Sequence, residues 1–159
     1  MHENAVVMPI IDEDYHRECE AKISTFSYQK PTDYKGKNKV ISNLGRTDII
    51  RGLVHVLREG GETNLHYHTK IDSLWYVLKG RVRFYGPGDQ LQGDFGPGEG
   101  IFMPRGARYW FESASDEEAE MLHVSAYSEA GAEGSGRTDA SPRKRAVGET
   151  PHFDVKQAG

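Results

Sequence analysis

The sequence predicts an all-β fold, an antiparallel sandwich or barrel, from three observations between residues 46 and 127. Short segments there are rich in branched and aromatic apolar residues. Glycine and proline interrupt them at nearly regular intervals, as at Gly60-Gly61 and Gly86-Pro87-Gly88. Polar and apolar residues alternate in several of them, which is the period of a strand with one buried face. Strands are therefore expected at residues 48–58, 65–68, 74–78, 81–85, 101–103, 108–111 and 121–127.

The chain of 159 residues suits one domain with an extension at each end. Residues 1–40 are mixed in character and form an N-terminal extension, in which residues 12–22 favour a short helix with an acidic start. Residues 41–128 form the barrel. Residues 129–159 form a polar tail that is expected to be flexible, although such tails can also cover the sheet edges of a small barrel.

Composition and charge exclude several function classes. A formal net charge of −4 does not suit a protein that binds nucleic acid, and the one basic run, Arg143-Lys144-Arg145, lies in the polar tail. No segment has the apolar length that spans a bilayer, and the apolar run near the N-terminus is too short for a signal peptide. The single cysteine, Cys19, rules out an internal disulfide and fits a reducing compartment. We therefore expect a soluble, cytoplasmic protein without a nucleic-acid or membrane partner.

Two histidines carry the main chemical signal. His66 and His68 lie two residues apart in a predicted strand, so their imidazoles project side by side from one face. Two imidazoles in one small cavity can begin a metal site or form an acid/base pair. The residues by themselves leave both possibilities open.

Two more histidines have the strand position to line the same cavity. His55 shares a strand face with Arg51 and Leu57, so an inward Leu57 would bring both of them into the cavity. An inward Arg51 could anchor a carboxylate or phosphate of the substrate. His123 lies in the last predicted strand of the barrel. The alternative for all of them is packing against another sheet or subunit.

Two glycine-bounded blocks of sequence give the chain a family resemblance. The first is residues 60–80, around the histidine pair, and the second carries Gly98, Pro104 and Gly106. These blocks resemble the two motifs of the cupin superfamily, and the resemblance covers about residues 46–127. It implies a cupin-type double-stranded β-helix, a jelly-roll barrel with the ligand site inside. It also implies a homodimer.

The resemblance carries over only part of the family's metal-ligand set. The glutamate position of the first cupin motif aligns with Ser73 when four residues separate it from His68, and with Asp72 when three do. The third histidine of the family aligns with Tyr109. His66, His68 and Asp72 could hold one divalent ion of iron, manganese, nickel or zinc. The other possibility is a pair of hydrogen-bonded histidines without an ion.

Tyr109 also suggests chemistry of its own. A phenol of ordinary pKa is protonated at neutral pH, so it can donate a proton while a neighbouring imidazole accepts one. The cupin superfamily includes metal-free sugar-nucleotide epimerases and dehydratases that use a histidine and a tyrosine for catalysis. The resemblance thus implies His66 or His68 as the base and Tyr109 as the acid. A tyrosine that only fills volume is the alternative.

Three aromatic residues match cupin positions that point into the barrel: Trp75, Phe102 and Phe111. Aromatic walls suit a flat, largely apolar ligand and exclude water. The alternative is that these side chains are simply core.

These observations favour a small-molecule cupin enzyme of a non-oxidative class, an isomerase, cyclase, dehydratase or lyase. It would use His66 and His68 with Tyr109, with or without a divalent metal, on a small organic substrate. One alternative is an iron-dependent dioxygenase that uses His66, His68 and Asp72. The other is a cupin that binds a metabolite without turning it over. No DNA-binding helix-turn-helix pattern accompanies the barrel, so a transcriptional regulator is not expected.

Overall fold

Two β-sheets face each other in the computed structural model, which describes residues 8–142 and 150–155. The strands are β1 Lys39–Arg46, β2 Ile50–Leu57, β3 Gly61–His68, β4 Ile71–Lys79, β5 Val82–Tyr85, β6 Leu91–Phe95, β7 Gly100–Met103, β8 Tyr109–Ser113, β9 Ala119–Tyr127, β10 Arg137–Asp139 and β11 His152–Asp154. One sheet has the order β11-β1-β2-β9-β4-β7, and the other has the order β10-β3-β8-β5-β6. Paired strands are antiparallel except β1 and β11. The predicted all-β barrel is confirmed.

Each of the seven predicted strand segments is a strand in the structure, and four further strands were not predicted. β1 holds three apolar residues among charged and polar ones, and β6 at the sheet edge is mostly polar and glycine. Polar edge strands lack the apolar alternation on which a sequence-based assignment depends. β10 and β11 have only three residues each, too few to show any period.

The hydrophobic core lies between the two sheets and is built from alternate residues of each strand. In β4, for example, Ser73, Trp75 and Val77 are buried while Asp72 and Tyr76 are exposed. The buried core cluster consists of Leu57, Trp75, Val77, Val82, Phe84, Met103, Tyr109, Phe111, Ala119 and Met121. Large aromatic rings therefore fill much of the barrel interior, and the candidate site is built among them.

The N-terminal extension contains the one α-helix in the described part of the chain, α1 Glu13–Glu20, which confirms the predicted helix. Asp12 caps it by accepting a hydrogen bond from the backbone N–H of Tyr15 at 2.9 Å, which satisfies one donor of the first turn. No residue of α1 is buried. Among the described residues, no helix is long and apolar enough to cross a membrane.

The rest of the extension packs against the outer face of the six-stranded sheet. Tyr34 is buried there against Val40, Val54 and Val56 of β1 and β2. Arg58 lies over the Tyr34 ring at 3.8 Å from its centroid, and its Nε lies 3.4 Å from a carboxylate oxygen of Glu118. Burial raises the pKa of Tyr34 to about 12. The extension thus packs on β1 and β2 at the outer face of this sheet.

Glu118 makes this contact dependent on pH. The Lys30 ammonium, hydrogen-bonded to Glu118, holds the pKa of the carboxyl below its usual value. Because the folded-state pKa is the lower one, the contribution to stability is complete above the unfolded-state pKa, about 4.3, and is lost as the pH falls through the folded-state value. We expect Glu118→Gln to lower the free energy of unfolding at neutral pH by less than about 1 kcal/mol, since the pair is partly exposed.

Denaturant unfolding at pH 7 and pH 3 checks this expectation. The difference in stability between the two pH values should be smaller in Glu118→Gln than in the wild type. Glu117→Gln is the matched control, because Glu117 is an exposed neighbouring carboxylate. A Glu118→Gln variant with the full acid-induced loss would contradict the account.

The described part of the C-terminal tail lies against the barrel rather than apart from it. β10 pairs with β3 at the edge of the five-stranded sheet, and β11 pairs in parallel with β1 at the edge of the other. These residues cover the sheet edges, as such tails can: backbone pairing attaches them, and Phe153 also packs against the apolar cluster around Tyr34. The basic run at residues 143–145 lies outside the described residues.

Candidate active site

The candidate site is centred on β3 and β8, where His66 lies directly opposite Tyr109 in the antiparallel register. Cross-strand neighbours on one face are close, and the His66 and Tyr109 ring centroids are 4.5 Å apart. His68, two residues along β3, has its ring centroid 5.3 Å from that of His66. The Tyr109 hydroxyl lies 3.3 Å from His68 Nε2. The structure therefore brings the three predicted catalytic residues together.

Each imidazole is oriented through its Nδ1 atom. His66 Nδ1 lies 2.8 Å from the backbone carbonyl oxygen of Asn64. A carbonyl oxygen can only accept, so Nδ1 carries the proton and Nε2 of a neutral His66 carries the lone pair. His68 Nδ1 lies 2.9 Å from the Ser135 hydroxyl. A neutral imidazole carries a single N–H proton. If Nε2 of His68 accepts from Tyr109, the proton is therefore on Nδ1, which donates to Ser135.

Burial differs across the three residues. His66 and Tyr109 are each 1% exposed, whereas His68 is half-buried. The Tyr109 ring is nearly parallel to that of Phe84, with centroids 6.1 Å apart. Water is thus largely excluded around His66 and Tyr109, and His68 is the most exposed of the three.

A second group of polar residues is buried in the other sheet. His123 Nε2 lies 2.9 Å from the Ser73 hydroxyl and 3.3 Å from the Ser125 hydroxyl. The His123 ring stacks on Trp75 with centroids 3.8 Å apart and an angle of 8° between the rings. His55 meets both rings edge-on, at 5.3 Å from His123 and 4.9 Å from Trp75. We call this set the histidine wall: His55, Ser73, Trp75, His123 and Ser125.

Trp75 and Phe111 link the histidine wall to the first group. The Trp75 ring centroid is 6.4 Å from that of Tyr109 and 5.0 Å from that of Phe111, and Phe111 is fully buried. The predicted substrate-binding residues His55, Trp75, Phe111 and His123 are therefore all inside the barrel and in contact through their rings. The structure gives their placement, and their role in binding stays a prediction.

Arg51 shares the strand face of His55, but its guanidinium is engaged elsewhere. Its Nη2 donates to the Asn43 side-chain oxygen at 2.7 Å, and the residue is half-buried. To anchor a substrate carboxylate or phosphate, as predicted, Arg51 would have to exchange this hydrogen bond for one to the ligand.

Two predicted site residues lie on the outside of the barrel. Phe102 is 79% exposed, because β7 buries Met103 and packs Ile101 on the core, so that the residue between them faces out. The prediction that Phe102 lines the cavity is wrong. Asp72 lies on the outer face of β4, where its carboxylate accepts from the backbone N–H of Arg105 at 2.8 Å and pairs with the Arg105 guanidinium at 3.2 Å. Strand alternation turns Asp72 away from the histidines, so it is not their third metal ligand.

The donor set does not fit the metal site that the resemblance implies. The inward residue at the glutamate position is Ser73, whose hydroxyl is bonded to His123, and a phenol replaces the third histidine. Two imidazoles remain from the family's set. The described residues include no group of three or more His, Cys, Asp or Glu side chains placed to hold an ion.

Comparison with known proteins places the barrel in a family. Residues 53–125, which include β3 to β8 and most of β2 and β9, match the family model described as the cupin domain. This part of the barrel is similar to the cupin domain. No curated protein matches the sequence.

Solved structures share the fold of this barrel. An uncharacterized conserved protein with a double-stranded β-helix domain from Klebsiella pneumoniae has a TM-score of 0.57 and 17% identity, over 72% of this chain and 92% of that one. An RmlC-like cupin from Desulfovibrio desulfuricans gives 0.54 and 16%, over 65% and 96%. A putative mannose-6-phosphate isomerase from Ralstonia eutropha gives 0.53 and 14%, over 59% and 89%. At these identities the neighbours show the fold alone.

Sequence reasoning missed the residues that support the imidazoles. Ser135 lies in the polar tail, 67 positions from His68, and no local pattern distinguishes it from the other serines there. Asn64 lies two residues before His66, and in a strand this places it on the same face. That spacing was a usable signal for Asn64.

Proposed function

We propose that this cupin is a non-oxidative enzyme that moves a proton on a small carbonyl compound, in the manner of an isomerase, cyclase, dehydratase or lyase. The observation that carries the proposal is the distance of 3.3 Å between the Tyr109 hydroxyl and His68 Nε2. Beside them lies His66, whose Nδ1 is hydrogen-bonded to a backbone carbonyl oxygen. A proton donor and a proton acceptor lie within reach of one substrate in a buried site. General acid and base catalysis requires this arrangement.

The proposed reaction assigns one proton to each group. His66 Nε2 accepts the proton from the carbon next to the substrate carbonyl, and that C–H electron pair becomes a carbon–carbon double bond. The carbonyl electron pair moves to oxygen, which takes the proton of the Tyr109 hydroxyl. An enol or enediol is left, with His66 protonated and Tyr109 deprotonated. Reverse transfer at the neighbouring carbon and oxygen completes an isomerisation and restores both side chains.

His68 has the supporting role in this scheme. In the resting site its Nε2 accepts from Tyr109, so it holds the phenol at the edge of the buried region. A substrate carbonyl that arrives from the side of half-buried His68 can take over this hydrogen bond. Tyr109 would then donate to the oxygen on which negative charge develops.

The histidine wall and Phe111 complete the proposed substrate site. Trp75 and Phe111 provide an apolar surface that excludes water, which strengthens the polar interactions inside. The imidazoles of His55 and His123 lie beside this surface, where they can hydrogen-bond substrate hydroxyl groups. A flat, hydroxylated carbonyl compound suits such a wall.

The alternatives are weaker on specific grounds. An iron-dependent dioxygenase of the kind considered above needs Asp72 with the two histidines, but Asp72 lies on the outer face of β4 and pairs with Arg105. A metabolite-binding cupin without turnover would not require the phenol to lie within hydrogen-bond distance of an imidazole. A homodimer and a cytoplasmic location stay predictions of the family resemblance and the composition.

Hydrogen exchange in D2O tests the proposal across several classes of carbonyl compound. The panel comprises hydroxyketones, aldose and ketose sugars, uronic acids and β-keto acids, each followed by proton NMR with and without protein. We expect protein-dependent loss of the proton next to the carbonyl for at least one class. A panel without any protein-dependent exchange would contradict the proposal and favour the metabolite-binding alternative.

A further inference from the structure

Residues 135–141, which include β10 and are here called the strap, lie along the edge of β3 beside the two histidines. The register pairs Arg137 with His68 and Asp139 with His66. Backbone hydrogen bonds fasten both ends. At one end the Thr69 N–H donates to the Gly136 carbonyl at 3.1 Å, and at the other the Ala140 N–H donates to the Leu65 carbonyl at 2.8 Å. The strap therefore spans the strand segment that carries the site.

The close approach of the strap depends on Gly136. This residue has a φ of 67°, in the left-handed region that favours glycine. A Cβ atom there would overlap the Thr69 hydroxyl and lie 3.1 Å from Lys70 Cγ. A larger residue would therefore push this end of the strap away from the turn after β3.

Ser135, next to Gly136, contacts the site directly. Its hydroxyl lies 2.9 Å from His68 Nδ1. A partner at Nδ1 fixes both the ring orientation of a histidine and the nitrogen that carries the proton. With Ser135 as acceptor, His68 has its proton on Nδ1 and its lone pair on Nε2, facing Tyr109.

The far half of the strap acts on His66 through Asn64. The Asn64 side chain is 1% exposed, donates to Asp139 Oδ1 at 2.9 Å and accepts from Arg137 Nη2 at 3.0 Å. Arg137 and Asp139 also form an ion pair with each other. The backbone carbonyl of the same Asn64 accepts from His66 Nδ1. One clamp on Asn64 thus holds the group that orients His66.

We propose that the strap is the positioning element of this site, with Ser135 as the positioning residue for His68 and the Asn64–Arg137–Asp139 cluster as the support for His66. The hydrogen bonds of the strap go to His68 and to Asn64, so it acts through the two imidazoles. This inference rests on the proposed function for its catalytic meaning. The inference also states which ring nitrogen of His68 carries the proton, and this can be measured in the protein without substrate.

The test is nitrogen-15 NMR of the imidazoles in chelator-treated protein at about pH 8, where an ordinary imidazole is neutral. Two-bond and three-bond couplings to the ring protons report which nitrogen carries the hydrogen. In the wild type we expect His68 to be mainly in the Nδ1–H form. Ser135→Ala should shift the population toward Nε2–H, because the acceptor at Nδ1 is lost, and Ser135→Thr should restore the wild-type pattern.

Ser141→Ala is the matched control. The Ser141 hydroxyl also ties the strap to β3, but it does so by accepting from the Leu65 backbone N–H at 3.1 Å and not through an imidazole nitrogen. This variant should leave the His68 form as in the wild type. A Ser135→Ala protein with unchanged His68 couplings, or an equal change in Ser141→Ala, would overturn direct positioning by Ser135. Because no substrate is used, this outcome is independent of the exchange experiment that tests the proposed function.

Discussion

Replacement of Tyr109 by phenylalanine is expected to slow substrate hydrogen exchange by about 10²–10⁴-fold while the fold and ligand binding are largely kept. The change removes only the hydroxyl that contacts His68 Nε2. The ring itself stays packed against its aromatic neighbours Phe84 and Phe111. The loss should therefore fall on the rate constant at saturating substrate and not on the Michaelis constant.

Tyr67→Phe provides the control for this variant. Tyr67 lies between His66 and His68 on β3, so strand alternation places its ring on the opposite face. Removal of that phenol hydroxyl should leave the exchange rate within about twofold, since it lies outside the proposed acid/base set. An unchanged rate in Tyr109→Phe would reduce Tyr109 to a packing residue and remove the proposed acid.

Replacement of Gly100 by alanine is expected to lower the free energy of unfolding by about 3 kcal/mol, near the upper end for added atoms in packed structure. A Cβ on Gly100 would overlap the backbone carbonyl oxygen of Trp75 and lie 3.1 Å from Tyr76 Cα. A backbone carbonyl in a strand cannot rotate away, so β7 would have to move off β4. Denaturant unfolding measures the change as a lower transition midpoint.

Gly52→Ala is the matched control for the stability effect. Gly52 lies in β2 of the same sheet, and a Cβ there would meet Leu44 Cβ at an ordinary contact distance of 3.5 Å. Because alanine also restricts the unfolded chain, this variant should be neutral or more stable by up to about 1 kcal/mol. Equal stability of Gly100→Ala and the wild type would show that β7 is not tightly paired with β4.

The fold and the centre of the site were predictable because both leave local signals. Glycine-bounded apolar segments predict short strands, and the spacing of residues 60–80 and 98–106 predicts their order in a cupin barrel. The same spacing aligns Tyr109 with a family ligand position, and the structure places it opposite His66. Motif spacing here carries information about contacts between distant segments.

The two misplaced site residues show how sensitive such predictions are to strand register. A shift of one residue exchanges the inner and outer faces of a strand. The shorter of the two motif spacings places Asp72 in the cavity, and the longer one, which the structure follows, places Ser73 there. Phe102 lies between two inward residues of β7. Asp72 and Phe102 have side chains of a suitable chemical type, but both lie on the outer face of their strands.

The support for the imidazoles could not be predicted because it depends on long-range backbone pairing. The strap is polar and follows a run of small residues, so its sequence resembles a mobile tail. The strap is attached by backbone pairing with the edge of β3 and by the close approach of Gly136 to Thr69 and Lys70. Neither property leaves a pattern in the strap itself.

The most direct test of the central claim, proton transfer by His66 and Tyr109 without a step at a metal, is the hydrogen-exchange rate before and after metal removal. Bound metal is quantified by elemental mass spectrometry, and exchange of the active compound is then measured in chelator-treated protein. We expect the exchange rate to persist in metal-depleted protein. Loss of exchange on chelation, followed by its recovery with stoichiometric iron, manganese, nickel or zinc, would contradict the account.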